Sequence, residues 1–296
     1  MEKEKYIRGL AHNGKVNIRC IDTTEIVEKA RKLHDLSPTA TAALGRLLTI
    51  TSMMGKEMKN EEGTITTQIK GDGLIGNMTA VSDNKGNVKG YVSKPQLDIP
   101  LNETTGKLDV AKAVGKNGMI YIIKDIGLKE PYIGMTPIVS GEIAEDFTNY
   151  FATSEQTPTV VALGVLVDKN GVKAAGGYLI TLMPDAKEGE ITKIENALKN
   201  ADSISKMLDD GKDLIEIAEM VTGDSEIMCF MDDNIAEYKC NCSKEKIERS
   251  LISIGKNEIQ DIIENEGKAE LICHFCNEKY VFSEEELKNL IKCYNL

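Results

Sequence analysis

Long apolar runs are missing from this 296-residue sequence. The longest, "VVALGVLV" at 160–167, falls well short of the roughly 20 residues that a membrane-crossing helix needs. The opening "MEKEKYIRGL" carries charge and no apolar core of the kind found in secretory signals, so the expected compartment is the cytoplasm. Basic charge is scarce as well. The 36 Lys and Arg are outnumbered by 47 Asp and Glu, and a formal net charge of -11 repels nucleic acid and anionic membranes, so neither is expected as a partner. Internal repeats and low-complexity tracts are absent. His12 and His34 have no nucleophile placed near them in sequence, so no hydrolase arrangement emerges and no enzyme is expected. Gly71, Gly73 and Gly76 in "GDGLIG" match the spacing of a dinucleotide-binding loop, but the helix that would receive a pyrophosphate is lacking: "NMTAVSDNKGNVKGYV" reads as a hairpin.

What the chain does contain is a regular alternation of strand and helix signals. "YIRGLAHN" and "KVNIRCI" read as strands around the turn "NGK", and Asp22 with Glu25 suggests a capping box opening a helix at "TTEIVEKARKL". Ser37 and Pro38 start a second helix, "TATAALGRLLTITSMMGKEMK", whose small residues suit close packing on a sheet. "GTITTQIKG" is a strand, and "NKGN" and "KNG" each join two strands as hairpin turns. After Ser140, Ile143, Phe147, Tyr150 and Phe151 share one helix face.

This pattern predicts an α+β fold with a sheet-and-helix domain over residues 1–183. A helical linker over 184–235, without strands or a core of its own, follows it, with Ile191, Ile194, Leu198, Met207, Leu214, Ile217 and Met220 available to dock. Residues 236–296 form a small terminal domain.

The seven cysteines decide what that last domain is. A reducing compartment favours metal or redox chemistry over structural disulfides. Cys20, Cys229 and Cys293 sit singly among apolar residues and read as inert buried thiols. Cys240 and Cys242, then thirty residues, then Cys273 and Cys276 form two close ligand pairs. Four thiolates select one Zn2+ per chain and close its tetrahedron, leaving no position for a catalytic water. His274 is an alternative to one thiol, and four unrelated buried cysteines are the bland alternative. A segment below about 70 residues normally needs such a staple. Ser283 and Glu286 provide a capping box for the final helix "EEELKNLIKCY".

The cysteine spacing, together with "SPTATAALGR", "QIKGDGLIGNM", "NVKGYV", "VSGEIAEDFTNYFATSEQ", "VALGVLV" and "AAGGYLI", resembles the redox-regulated heat-shock chaperones of thirty-three kilodaltons over nearly the whole chain. The resemblance implies an ATP-independent holdase for unfolded client proteins, silent when reduced and zinc-bound. Oxidation of the four cysteines and loosening of the linker would activate it and favour a homodimer. For a switch that must unfold, bridges Cys240–Cys242 and Cys273–Cys276 are favoured, because each closes a loop of three or four residues and contributes only about 1.6 to 1.9 kcal/mol. Bridges between the pairs would contribute about 4 kcal/mol each and staple the segment instead. The alternatives are a zinc-ribbon nucleic-acid binder and a thiol-disulfide oxidoreductase. Twelve acidic against nine basic residues in 236–296 oppose the first, and "CHFC" lacks the βαβ setting of the second.

Overall fold

The computed structural model describes residues 5–231 and 235–293, in two compact units, Met1–Lys239 and Cys240–Leu296. The larger unit opens with β1 (Tyr6–Ala11) and β2 (Val16–Asp22), followed by α1 (Thr24–His34) and α2 (Pro38–Gly55). The expected capping box is replaced by a local turn. Asp22 Oδ1 accepts from the Thr24 N–H at 2.9 Å and the Thr24 hydroxyl at 2.7 Å, so the helix starts after Thr23, and Glu25 faces Lys5 instead.

α2 is the spine of the unit. Every residue in it except Pro38 and Arg46 is buried, as an apolar and small-residue helix without a polar face must be. Its threonines satisfy their hydroxyls on the preceding turn: Thr41 donates to Ser37 O, Thr49 to Gly45 O and Thr51 to Leu47 O. Ser37 precedes the helix as expected, but its hydroxyl accepts from the Leu97 N–H rather than capping.

One sheet beside α2 contains β3 (Thr64–Gly71), β4 (Asn77–Asp83) and β5 (Val88–Val92), then, after α3 (Val110–Val114), β6 (Gly118–Asp125) and β7 (Tyr132–Pro137). Their order is β5-β4-β3-β6-β7, all antiparallel. The glycine loop leads from β3 into β4 and carries no helix. Gly71 and Gly73 are there for close approach: a Cβ on them would stand 2.0 Å from Val114 O and 2.2 Å from Ala113 O.

α4 (Ile143–Thr153) buries Ile143, Phe147, Tyr150 and Phe151, as its sequence periodicity predicts. The chain continues through β8 (Thr159–Asp168) and β9 (Gly171–Leu182) to α5 (Glu188–Asn200), α6 (Ile204–Asp209), α7 (Leu214–Thr222) and β10 (Met228–Met231). The second sheet has the order β10-β1-β2-β9-β8.

One expectation for this stretch fails: it is not free of strands, because β10 pairs antiparallel with β1, Gly9 opposite Cys229. The docking is as expected, and the core it makes is shared: Ile194, Ile204, Met207, Leu214, Ile217 and Val221 are buried with Ile7, Val16, Ile18, Tyr178 and Ile180 of the second sheet. Of the other anticipated docking residues, Leu198 packs against this core, Ile191 is half-buried outside it, and Met220 faces solvent. Polar ties reinforce the docking. Lys15 Nζ meets Glu190 Oε1 at 3.0 Å, and His12 donates its N–H to Asp224 while its Nε2 lies 2.9 Å from Thr222 O.

The smaller unit comprises α8 (Lys244–Ile254), α9 (Lys256–Glu266), a hairpin of β11 (Lys268–Ile272) and β12 (Lys279–Ser283), and α10 (Glu284–Cys293). The capping box of α10 is formed: Ser283 N–H donates to Glu286 Oε2 at 2.8 Å, and Glu286 N–H to Ser283 Oγ at 3.3 Å. Tyr294, expected to close that helix, lies outside the described residues. Among the described residues, no helix is long and apolar enough to cross a membrane.

Candidate metal centre

Two local devices gather the thiols. Cys273 and Cys276 occupy the turn between β11 and β12, where the N–H groups of Cys276 and Asn277 both donate to Cys273 O and Cys273 N–H donates to Glu278 O. Asn277 takes a left-handed conformation, φ 56°, which folds the turn back on itself. Cys240 and Cys242 lie just ahead of α8, whose N-cap Ser243 accepts from Lys246 N–H. The hydrophobic cluster of Leu251, Ile259, Ile263, Phe282, Leu287 and Leu290 packs these elements together.

All four sulfurs lie within 4.8 Å of one another. Cys240 Sγ is 3.8 Å from Cys273 Sγ, and Cys242 Sγ is 3.3 Å from Cys276 Sγ. A tetrahedral ion with metal–sulfur bonds near 2.3 Å needs sulfurs roughly 3.8 Å apart, so the donor set fits a thiophilic metal ion in both chemistry and spacing. His274, exposed, is not part of the group.

The electrostatics of the cluster are uneven. Burial opposes ionisation of Cys242, but hydrogen bonds from the Tyr280 hydroxyl, at 3.1 Å, and from the Cys276, Cys240 and Cys273 thiols outweigh it and bring the thiol down to about 7. Burial pushes the Cys276 thiol up, and its three sulfur neighbours push it further. Tyr280 is the site residue that sequence reading missed. Its signal was available: a hydroxyl four residues past Cys276, in the strand that leaves the ligand turn, is placed to support a thiolate from outside the ligand set.

The other cysteines do not join the cluster. Cys20 is fully buried and burial raises its pKa, Cys229 is half-buried in β10, and Cys293, expected to be buried, is exposed at the end of α10.

Fold and centre together define an α+β protein with a small C-terminal unit organised around four thiols that can hold a metal ion. The family model described as Hsp33 protein matches residues 4–283. The chain is 48% identical to the 33 kDa chaperonin of Clostridioides difficile over 290 residues, 98% of this chain and 99% of that protein. It is 45% identical to the 33 kDa chaperonin of Staphylococcus haemolyticus over the full length of both. The crystal structure of the 33 kDa chaperonin, a heat shock protein 33 homolog, from Thermotoga maritima superposes with a TM-score of 0.89 at 37% identity, covering 99% of each chain. The chain belongs to the Hsp33 family, a family of chaperones rather than enzymes. Membership implies that it binds unfolded client proteins.

Proposed function

We propose that the protein is a cytoplasmic, ATP-independent holdase whose activity is controlled by the redox state of Cys240, Cys242, Cys273 and Cys276. The observation that carries this reading is the four-sulfur cluster in a unit too small to stand without a staple. Its working parts are the chaperone domain at 1–183, the linker at 184–235 and the switch domain at 236–296. In the reduced state the four thiolates hold one Zn2+ per chain. When bound, zinc would supply the tetrahedral cross-link that keeps the switch domain folded.

Oxidation removes the donors. With peroxide as oxidant, one thiolate of a pair displaces hydroxide from the O–O bond and becomes a sulfenic acid. The neighbouring thiol then attacks that sulfur, forming the S–S bond and releasing water, so each pair gives up two electrons and consumes one peroxide. A disulfide holds its sulfurs near 2.05 Å, incompatible with a tetrahedron of ligands. Without its staple the switch domain unfolds. The linker loses its folded C-terminal neighbour in the chain, exposes its apolar face and the sheet beneath, and the oxidised form pairs as a homodimer. The net charge argues against a nucleic-acid partner.

An aggregation assay tests function and regulation together. Reduced, metal-loaded protein should leave the light scattering of a heat-unfolding client unchanged, and peroxide-treated protein should suppress it. Equal behaviour of both forms removes the redox control.

Non-reducing peptide mapping of the active form should find Cys240 joined to Cys242 and Cys273 to Cys276. In the folded unit sulfurs of different pairs also touch, so the folded geometry does not select the partner. Chain entropy and the need to unfold do. Predominant bridges between the two pairs would contradict this route.

A further inference from the structure

β5 (Val88–Val92) is an edge strand, paired to β4 on one side. Its other side is covered by a short piece of the chain's own backbone. Val88 N–H donates to Glu237 O at 2.8 Å, and Lys239 N–H donates to Val88 O at 3.0 Å, which together make a parallel bridge centred on Tyr238. The next outward-facing pair of main-chain groups is met by a side chain. The Tyr238 hydroxyl donates to Gly90 O at 2.9 Å and receives Gly90 N–H at 3.4 Å, with His34 Nε2 at 3.0 Å. The ring itself is 3% exposed and stands edge-on to His34, with Ala236 packed on the same core. Residues 236–239 are thus a strap that caps four main-chain groups of an edge strand and fills an aromatic slot beside them. The strap ends where Cys240 begins.

We infer that the β5 edge and the Tyr238 slot are a strand-addition site for an extended, aromatic-bearing segment of an unfolded polypeptide, occupied by the strap while the chaperone is silent. The inference deepens the holdase reading above and rests on it. An uncovered edge presents unpaired N–H and C=O groups that a second chain can pair with, and the slot adds side-chain selection. Tyrosine fits best because its hydroxyl replaces both bonds to Gly90, whereas phenylalanine fills the slot and leaves those groups unmet. Native proteins seldom offer a free extended segment with an aromatic ring, and unfolding ones do, so the site selects for conformation. When the cysteine-bearing part of the switch domain, from Cys240 onward, unfolds, the strap loses the folded structure that follows it, and binding becomes a competition between the strap and the client.

The test uses the full-length chain and a fluorescent peptide of sequence IAEYK, that of residues 235–239. Anisotropy should show affinity at least about tenfold tighter for the peroxide-activated protein than for the reduced one. Phenylalanine in place of the peptide's tyrosine should weaken binding about fivefold, and alanine about a hundredfold. In the reduced protein, Tyr238→Ala should open the site without any oxidation. Val88→Pro removes the outward N–H from an edge strand, a position where proline is tolerated, and should abolish binding in the activated form. If that variant does not fold, hydrogen exchange decides: the peptide should slow exchange at the Val88 amide of the activated wild type. Binding to Val88→Pro at wild-type strength, or no protection of that amide in a sample that suppresses aggregation, overturns the inference. If peroxide fails to elicit suppression while Tyr238→Ala still opens the site, the redox reading fails and the edge site stands.

Discussion

Stripping metal from the reduced protein with a strong chelator unfolds residues 240–293 and leaves the larger unit intact. The smaller unit has a core of only a few side chains, led by Leu251, Ile259, Phe282 and Leu287, around a two-stranded hairpin and three helices. A hairpin of that size is marginal alone, and a domain below about 70 residues seldom stabilises itself by burial. A structural zinc contributes on the order of 10 to 16 kcal/mol to folding, as much as the whole stability of a typical domain, about 5 to 15 kcal/mol. Elemental analysis should therefore find one zinc per chain before chelation and none after. Hydrogen exchange should show protection lost throughout α8 to α10 and retained in α2 and β3. Cys273→Ser should reproduce the effect without a chelator, whereas Cys293→Ser, at an exposed thiol outside the cluster, should not. A metal-free chain with four reactive thiols and a protected α9 would refute the staple.

How much of this could be read in advance depended on whether the signal was local. The four cysteines announced a candidate metal centre because ligand chemistry is written in residue type and spacing, and the structure gathers those same four sulfurs into a group that could hold a metal ion. The Ser283–Glu286 capping box and the α4 face were legible for the same reason, each being settled within a turn or two of helix. The failures are of another kind. "MCFM" at 228–231 is too short to signal a strand by itself and becomes one because β1 offers an edge more than two hundred residues earlier. The helices before it carried a clear apolar stripe, but the stripe could not say what it covers. Only the fold shows Ile194 and Ile217 closing the face of β1, β2 and β9. Tyr238 was invisible for a similar reason, since its hydroxyl meets His34 of α1 and Gly90 of β5.

Ile194→Asp combined with Ile217→Asp, placed in the reduced and metal-loaded chain, should undock residues 188–222 and give client holding without peroxide. Ile194 is 4% exposed and Ile217 fully buried, both against the second sheet. Each replacement forfeits roughly 1.5 to 3 kcal/mol of apolar burial, and a carboxylate left in that core without a partner costs several more. Ile204, Met207, Leu214 and Val221 stay in the core around the two carboxylates, and the polar ties, Lys15 with Glu190 and His12 with Asp224 and Thr222, add about a kcal/mol each. The polar ties cannot offset two unpartnered carboxylates inside that core, which the remaining apolar side chains would have to pack against. In the wild type the same contacts explain why oxidation alone should leave the linker partly docked, so that mild heat raises activity further: unfolding the switch domain removes the linker's neighbour, not its core. Met220→Asp is the control, because that side chain already faces solvent on the same helix, and a surface change of this kind stays within about 0.5 kcal/mol. Hydrogen exchange reads the mechanism directly. Protection across α5 to α7 should vanish in the double variant while β3, β4 and β6 keep theirs, and the loss should accompany suppression of client aggregation. A double variant that holds clients with α5 to α7 still protected would place the binding surface elsewhere and end the role assigned to the linker.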